Sequence, residues 1–247
     1  MNSPAPIAHG PLIDLHRSSR ARMVTAHGWE FAAEFDGRAP ELTRAQTAVG
    51  VADLSHLPKL QVVGSVLAVL RTQPMPADQS GNGGSRQPGH AWEVQSGARS
   101  NRLTQDSVLC AWLAEDQAVA ISIACETSVS AIVQLLAGHG VSTADDHWLD
   151  ITGHFAAFDL VGPLIDELLR QLTSIDVSAR AFPPGHCAQT GVARIPTIMI
   201  RPTGSTLPRV QLWCAREYGQ YLWETLLERA RPLGGGALGA EAWRATF

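Results

Sequence analysis

Two periodicities of the hydrophobic residues predict the secondary structure of this chain. Short apolar runs rich in β-branched residues, bounded by glycine, proline or charged residues, are typical of strands. Such runs occur at KLQVVG (59–64), SVLCAWLA (107–114), AVAISIA (118–124), HFAAFDLVG (154–162), TIMIRP (197–202) and RVQLWC (209–214). The second and third runs flank a short charged segment, and the last two follow each other closely, so both pairs predict β-hairpins.

Apolar residues spaced three and four apart predict helices between these strands. The segments are SVLAVLRT (65–72), SVSAIVQLLAGHG (128–140), PLIDELLRQL (163–172) and EYGQYLWETLLERAR (217–231). Pro163 is expected in the first turn of its helix, where its missing N–H is not needed. The last helix is expected to bury a face that contains Tyr218, Leu222, Trp223 and Leu226.

An internal repeat links two distant parts of the chain: Asp53 to Leu70 resembles Asp150 to Leu169. Both segments begin with aspartate, an aliphatic residue and a hydroxyl residue, and continue as a strand ending in Val-Gly before an aliphatic helix. Glycine at that point lets the backbone turn tightly into a helix that packs on the sheet. The repeat predicts an α+β fold with two similar strand–helix lobes, pseudo-twofold symmetry and mainly antiparallel sheets.

Composition divides the chain into a body and flanking segments. We expect an N-terminal arm at 1–20, an α+β body at 21–231 and a C-terminal tail at 232–247. Within the body, residues 73–100 are rich in Gly, Pro, Ser and Gln, which predicts a flexible surface insert that either covers a groove or is simply tolerated. The glycine clusters that begin at Gly81 and Gly234 are interpreted as linkers.

The overall composition favours a globular protein. Apolar residues make up 45% of the chain, and a net charge of −4 gives no basic surface for nucleic acid. No secretory signal and no apolar stretch of membrane-spanning length is predicted. The cysteines form no Cys-x-x-Cys pair, so a cytoplasmic location with reduced thiols is expected, with Cys110 and Cys214 in the core.

Candidate catalytic and metal-binding residues form no strong motif. The chain contains no nucleophile elbow, no phosphate-binding loop and no His-Glu-x-x-His pair. His56 and the run Asp145-Asp146-His147 could bind a metal, but their spacing gives no closed ligand set, so no metal is expected. Asp53 and Ser55 are expected to shape a turn.

The segment RAFPPGHCAQT (180–190) allows a structural and a catalytic interpretation. Proline fixes φ and glycine accepts positive φ, so Pro183, Pro184 and Gly185 predict a tight turn. A nucleophilic Cys187 would need a base, and His186 is adjacent, but neighbouring side chains on a strand point to opposite faces. A structural or interface motif is therefore favoured; its members are Pro183, Pro184, Gly185, Cys187 and Gln189.

Two segments carry a resemblance to known families. VGVADLSHLPKLQVVG (49–64) resembles the early part of folate-binding aminomethyltransferases, the T-proteins of the glycine cleavage system. AFPPGHCAQT (181–190), with IDVSAR (175–180) before it and EYGQYLWETLLERAR (217–231) after it, is more similar to the gamma subunits of heterotetrameric sarcosine oxidases. The resemblance extends over about residues 21–231 apart from the insert, and it implies an α+β body of two similar lobes.

The T-protein resemblance implies tetrahydrofolate binding in a central groove and one-carbon transfer. Asp106 matches the key acidic residue, and Gln105 replaces the aspartate before it. Ser122 stands where the family has an asparagine. The region IPTIMIRPTGSTLPRVQL (195–212) lacks the Gly-Glu-Asp-Gly motif that contacts the pterin, and no C-terminal barrel is expected before Phe247. Asp106 is thus the one candidate catalytic or folate-binding residue.

The gamma-subunit resemblance implies a non-catalytic chain without its own cofactor. In such an oxidase the alpha subunit carries NAD and folate sites, the beta subunit carries flavin, and the complex converts sarcosine to glycine with hydrogen peroxide and methylene-tetrahydrofolate. The alternatives are a stand-alone tetrahydrofolate-dependent aminomethyl or one-carbon transferase, and a folate-binding accessory protein. A subunit should expose an apolar partner surface, for which the candidates are Trp92, Trp213, Trp223 and Trp243.

Overall fold

The computed structural model describes residues 7–64, 88–94, 107–115, 117–122, 128–138 and 146–247. Its helices in these ranges are α1 (Ile13–Ser18), α2 (Arg38–Thr47), α3 (Val129–Gly138), α4 (Ile165–Leu169), α5 (Gly219–Ala230) and α6 (Ala240–Arg244). The first seven strands are β1 (Ala8–His9), β2 (Arg22–Ala26), β3 (Trp29–Glu34), β4 (Gly50–Asp53), β5 (Lys59–Gly64), β6 (Ala91–Val94) and β7 (Val108–Ala114). The other seven are β8 (Gln117–Ser122), β9 (Asp146–Asp150), β10 (Phe155–Val161), β11 (His186–Val192), β12 (Ile195–Arg201), β13 (Arg209–Ala215) and β14 (Gly236–Leu238).

Within the described ranges these strands form three sheets. One sheet has the order β11-β12-β13-β10-β4-β14, a second has the order β6-β7-β8-β5-β9, and a small sheet has the order β1-β3-β2. Neighbouring strands are antiparallel except β1 with β3 and β14 with β4. The α+β class and the mainly antiparallel sheets are confirmed, as are both hairpins, β7–β8 and β12–β13.

The two large sheets pack face to face and carry helices on their outer faces. Alternate residues of β10 show this arrangement, because Phe158 and Leu160 pack with α4 and α5 while Ala157 and Val161 pack towards the other sheet. On the five-stranded sheet, Trp112 and neighbouring side chains pack against Ile132 of α3. The period-two pattern therefore separates an inter-sheet core from two helix-facing cores.

The chain crosses between the large sheets at two similar turns. One turn joins β4 to β5, and the other joins β9 to β10. In the first, the Asp53 carboxylate accepts hydrogen bonds from the Ser55 N–H (2.9 Å) and hydroxyl (2.5 Å). In the second, the Asp150 carboxylate accepts the same pair from Thr152, at 2.9 and 2.6 Å. The aspartates therefore hold both crossings in one local conformation.

Each turn is also bonded to the strand that follows the other turn. The Ser55 hydroxyl oxygen accepts a bond from the Ala157 N–H of β10 at 3.2 Å. The Thr152 hydroxyl oxygen accepts one from the Lys59 N–H of β5 at 3.0 Å. The repeat recognised in the sequence thus corresponds to two reciprocally bonded turns.

The segments expected to flank the body contribute to its sheets and core. β1 pairs with β3, and Leu12 and His16 of the segment 7–20 are buried. β14 pairs with β4, and Trp243 of the segment 232–247 is buried. The packed body therefore extends beyond residues 21–231 in both directions.

The glycines near the C-terminus pack against other strands, which corrects their interpretation as a linker. A Cβ on Gly235 would lie 2.5 Å from the carbonyl oxygen of Val49, and one on Gly239 would lie 2.2 Å from that of Ala33. Only glycine permits such a close approach of two backbones. The second cluster, at Gly81, lies outside the described residues.

The predicted helices at 128–140, 163–172 and 217–231 are confirmed as α3, α4 and α5, and the one at 65–72 lies outside the described residues. Two details were wrong. Pro163 lies in the turn two residues before α4 rather than in its first turn. Tyr218 precedes α5 and is 44% exposed, whereas the other predicted members of that face are buried.

Part of the predicted insert is ordered sheet, and the candidate interface tryptophans belong to the core. Residues 91–94 form the edge strand β6, paired with β7; the rest of 73–100, apart from 88–90, lies outside the described residues. The four tryptophans expected on a partner surface are all buried: Trp92, Trp213, Trp223 and Trp243. That assignment was therefore wrong. Cys110 and Cys214 are buried as expected.

Candidate functional site

The predicted acidic residue Asp106 and its neighbour Gln105 lie outside the described residues. β7 begins at Val108, and the strand register pairs Val108 with Ser122 at the end of β8. Ser122, which stands where the resemblance implies an asparagine, therefore lies at the end of the five-stranded sheet where β7 begins. Ser122 is buried and its N–H donates to the carbonyl oxygen of Pro58 at 3.1 Å.

The Pro-Pro-Gly turn joins the two large sheets at their edges. Pro184 and Gly185 form the turn, and Gly185 has a φ of +80°. The Gly185 N–H donates to the carbonyl oxygen of Arg201 on β12, and its own carbonyl oxygen accepts from the Ala91 N–H on β6, both at 2.8 Å. The backbone of this one glycine thus links a strand of each sheet.

The Cys187 thiol is a buried donor rather than an activated nucleophile. It donates to the carbonyl oxygens of His90 (3.4 Å) and Trp112 (3.3 Å). Burial raises the pKa of Cys187 to about 12, so the thiolate is scarce at neutral pH. The His186 ring packs edge-on against His90 with ring centroids 5.2 Å apart. The geometry therefore gives Cys187 no general base in His186.

Two further side chains connect the sheets beside this turn. The Gln189 amide donates to the carbonyl oxygen of Leu113 at 3.4 Å. The Glu93 carboxylate accepts from the Thr203 N–H (2.6 Å) and from the Thr203 hydroxyl. We call this region the inter-sheet seam; it comprises residues 88–93 and 112–113 on one sheet and residues 184–189 and 201–203 on the other.

A cleft of about 470 Å³ opens beside the inter-sheet seam. Its lining includes His90, His186 and Asp176, together with the buried Phe182 and Cys187. Two imidazoles and one carboxylate could contact a small polar ligand, but they do not enclose it. Within the described ranges, no three His, Cys, Asp or Glu side chains are arranged to hold a metal ion.

The loop that replaces the pterin-contacting motif is held by structural hydrogen bonds. Thr203 bonds to Glu93 across the inter-sheet seam, and the Thr206 hydroxyl donates to the carbonyl oxygen of Thr246 at 2.9 Å. These hydroxyls anchor the loop to β6 and to the C-terminal segment. The described residues at the positions that the T-protein resemblance implies for the pterin therefore supply short hydroxyl side chains.

A fully buried lysine closes the first crossing turn. The Lys59 ammonium donates to the carbonyl oxygens of Leu54 (3.0 Å), Ser55 (3.1 Å) and Leu57 (2.8 Å). Burial lowers the pKa of Lys59 to about 7, against the attraction of Asp53. Because three N–H groups meet three carbonyls of one turn, the contacts of this lysine are structural.

Two histidines lie near the same turn. His16 Nε2 lies 2.9 Å from an Asp53 carboxylate oxygen. Burial raises the pKa of Asp53, but its bonds with His16 and Ser55 outweigh that effect and hold the pKa below its ordinary value. His56 stacks on Phe31 with ring centroids 4.1 Å apart, and burial lowers the pKa of His56 to about 3, so it is neutral at pH 7. Sequence reasoning missed His16, because its partner is 37 residues away.

A buried ion pair fastens the C-terminal helix to the six-stranded sheet. The Asp159 carboxylate accepts from Arg209 Nη1 at 3.0 Å and from Trp243 Nε1 at 2.7 Å. The guanidinium also bonds the Thr246 hydroxyl and lies 3.9 Å from the centre of the Phe247 ring. Burial raises the pKa of Asp159 to about 6, despite the opposing effects of Arg209 and Trp243. Asp159, Arg209 and Trp243 are all buried where these elements meet.

A known family model matches almost the whole chain. Residues 12–246 match the family model described as the GCVT N-terminal domain, and the chain belongs to this family. None of the helices in the described ranges has the length and apolar character needed to cross a membrane.

Relatives in this family are aminomethyltransferases. The chain is 25% identical to one from Anoxybacillus flavithermus, over 91% of this chain and 59% of that protein. It is 29% identical to one from Synechococcus sp. (strain WH7803), over 92% of this chain and 62% of that protein. The chain thus spans about three fifths of the length of these relatives.

Two solved structures share the fold. The aminomethyltransferase T of the Bartonella henselae glycine cleavage system superposes with a TM-score of 0.70 at 15% identity, over 97% of this chain and 62% of that chain. A chain of the heterotetrameric sarcosine oxidase from Corynebacterium sp. U-96, in complex with pyrrole 2-carboxylate, superposes with a TM-score of 0.56 at 15% identity. That match includes 91% of this chain and 95% of the oxidase chain.

Proposed function

We propose that this chain is a non-catalytic, structural subunit of a sarcosine oxidase-like complex, corresponding to its gamma subunit. In this proposal the chain has no cofactor of its own, and partner alpha and beta subunits carry NAD and flavin. The complex would oxidise sarcosine to glycine with formation of hydrogen peroxide and methylene-tetrahydrofolate.

The observation that carries the proposal is the extent of the structural matches. The matched region makes up 95% of one chain of the heterotetrameric oxidase but 62% of the aminomethyltransferase T chain. The fold of this chain therefore corresponds to nearly the whole of one chain of a heterotetrameric oxidase. The Phe-Pro-Pro-Gly segment, the most specific part of the sequence resemblance, supports the same assignment.

The hydrogen bonds of several carboxylates in the described ranges also support a structural role. Asp53 and Asp150 hold the crossing turns, and Asp159 fastens the C-terminal helix. Glu41 accepts hydrogen bonds from three backbone N–H groups, two on residues 35–36 and one on Gly239. A general acid or base must reach a substrate, and these groups bond to the protein itself.

The second candidate is a stand-alone tetrahydrofolate-dependent aminomethyl or one-carbon transferase with Asp106 as its acidic residue. The observation that favours it is the 25–29% identity to aminomethyltransferases over more than nine tenths of this chain. Tetrahydrofolate would then bind near the start of β7, where Ser122 of β8 pairs with Val108. A folate-binding accessory protein would bind tetrahydrofolate at the same place but would not catalyse a reaction.

Calorimetric titration of the purified chain with tetrahydrofolate separates the two candidates. A subunit without its own folate site gives no saturable heat. A transferase gives one-site binding that Asp106→Asn weakens by at least about tenfold, since a charged hydrogen-bond partner is lost. The control is Asp14→Asn, which makes the same charge change at an exposed carboxylate on α1. Saturable, Asp106-dependent binding contradicts the subunit assignment.

We also infer that the two lobes are related by a pseudo-twofold axis. Supporting this inference, β6-β7-β8-β5-β9 and β11-β12-β13-β10-β4 have the same connectivity, and the two crossing turns have matching hydrogen bonds. The cytoplasmic location stays a prediction from the sequence.

A further inference from the structure

We propose that the exposed surface around the two tyrosines binds an acidic segment of a partner subunit; this inference rests on the proposed function. We call this surface the tyrosine patch, and it consists of Ile7, Arg194, Arg216, Tyr218 and Tyr221. Three of these side chains, Ile7, Tyr218 and Tyr221, are large and apolar yet 44–53% exposed. They are three of the four such residues in the described ranges.

Hydrogen bonds and packing make the tyrosine patch continuous. The Tyr221 hydroxyl donates to the carbonyl oxygen of Ala193 at 3.4 Å, which joins the start of α5 to the tip of the β11–β12 hairpin. Arg216 Nη2 donates to the carbonyl oxygen of His9 at 2.9 Å. Gly219 packs against Pro11, so the N-terminal segment that contains Ile7 borders the same surface.

The charge of the tyrosine patch defines its partner. Arg194 and Arg216 are both exposed, and in the described part of the chain neither forms an ion pair with a carboxylate. Glu217 is the one acidic residue between 216 and 221. The chain carries a net charge of −4, whereas two arginines with one adjacent acid, Glu217, give this surface a local net positive charge.

The Arg216 side chain is held in place before any partner binds. Its two terminal nitrogens donate to the carbonyl oxygens of His9 and Gly153, at 2.9 and 3.4 Å. A fixed guanidinium loses little side-chain entropy when it meets a carboxylate, and charge-assisted bonds are the stronger ones. Tyrosine and arginine are also the residue types that supply much of the energy at protein interfaces. An acidic segment with an apolar neighbour fits this surface.

A second copy of this chain is a poorer fit. A symmetric contact through the tyrosine patch would place Arg194 and Arg216 of both copies in one interface. Like charges in an interface oppose association. The partner is therefore a different, acidic surface.

The test measures association of the full chain with the purified complex of the alpha and beta subunits from the same organism. The variants are Tyr218→Ala/Tyr221→Ala and Arg216→Glu, each checked for an unchanged thermal midpoint. Arg229→Glu is the matched control, because it makes the same charge change at an exposed position near the other end of α5. We expect both patch variants to weaken association by at least about tenfold, the control to change it less than about twofold, and higher salt to weaken the wild-type complex.

The outcomes separate this inference from the proposed function. If wild type binds the partner subunits and the patch variants bind equally well, the tyrosine patch is excluded while the subunit role stands. If wild type does not bind them, the subunit role fails and the patch assignment fails with it. Self-association of the wild type that Arg216→Glu abolishes identifies a second copy as the occupant and overturns the inference.

Discussion

Gly162 ends β10 with a φ of +137°, and a Cβ there would lie 2.3 Å from the carbonyl oxygen of Ala48. Any other residue must move the backbone of two elements. We predict that Gly162→Ala lowers the free energy of unfolding by about 3 kcal/mol, through strain and overpacking together. Urea denaturation checks this prediction. The control Gly153→Ala should change stability by less than about 1 kcal/mol, because its Cβ would meet nothing within 4 Å; equal effects contradict the packing argument.

His56 gives the protein an acid-sensitive core. Its pKa is about 3 in the folded chain and 6.5 in the unfolded chain, so the unfolded state binds the proton first as pH falls. The stabilising effect is present above pH 6.5 and decreases towards pH 3. Between pH 7 and pH 5 we expect wild type to lose about 2 kcal/mol of unfolding free energy through this group.

His56→Phe removes this titration and should flatten the pH dependence by the same amount. Denaturation curves at pH 7 and pH 5 measure it. An identical pH dependence in the variant and in wild type would show that another group is responsible.

The Cys187 thiol should be unreactive in the folded protein, because it is buried and its pKa is raised to about 12. Alkylation by iodoacetamide at pH 8, mapped by mass spectrometry, should modify the peptide that contains Cys187 only after denaturation. Rapid alkylation in the native state would contradict this prediction and would support Cys187 as a nucleophile with His186 as its base.

At this scale the sequence predicted local chemistry and missed long-range partners. Asp53 and Ser55 were recognised as turn residues because their bonds span two positions. The Asp159–Arg209 pair joins residues 50 positions apart, and strand alternation alone does not tell which polar residue will face the core. Asp106, the one predicted site residue with chemistry of its own, stays a prediction.

At the scale of elements, strands and helices followed the hydrophobic periods, and the errors occurred where packing partners are remote. The glycines at 234–239 have the composition of a linker, but β14 and α6 bury them against β3 and β4. Likewise, β6 has a short apolar core inside a polar, glycine-rich segment. β6 is held in place by its pairing with β7 and by the hydrogen bonds of the inter-sheet seam, and local composition does not reveal either contact.

The C-terminal helix should depend on one indole hydrogen bond. Trp243→Phe keeps an aromatic ring but removes the donor to the buried Asp159 carboxylate. We predict a loss of about 1–3 kcal/mol of unfolding free energy, because the buried carboxylate loses one of its two side-chain hydrogen bonds. Trp223→Phe is the matched control, since Trp223 is equally buried but its contacts are ring contacts in the helix-facing core. Thermal denaturation compares them, and a larger loss in Trp223→Phe contradicts the role of the bond.

At the scale of the whole molecule, two antiparallel sheets exchange strands at matched turns and meet again at the inter-sheet seam. The sequence repeat predicted two similar lobes, but it could not reveal that each turn bonds to the strand after the other turn. That arrangement depends on contacts about a hundred residues apart. In the resulting structure, the buried carboxylates Asp159 and Glu41 have structural roles. The exposed tyrosines lie together on one outer surface.

The central claim is that this chain works as part of a larger oxidase. Native mass spectrometry after co-expression with the flavin-binding and NAD-binding subunits encoded in the same organism tests it most directly. The account predicts a hetero-oligomer containing one copy of this chain per assembly, with the flavin on another subunit. A chain that remains free beside an assembled, active oxidase would contradict it.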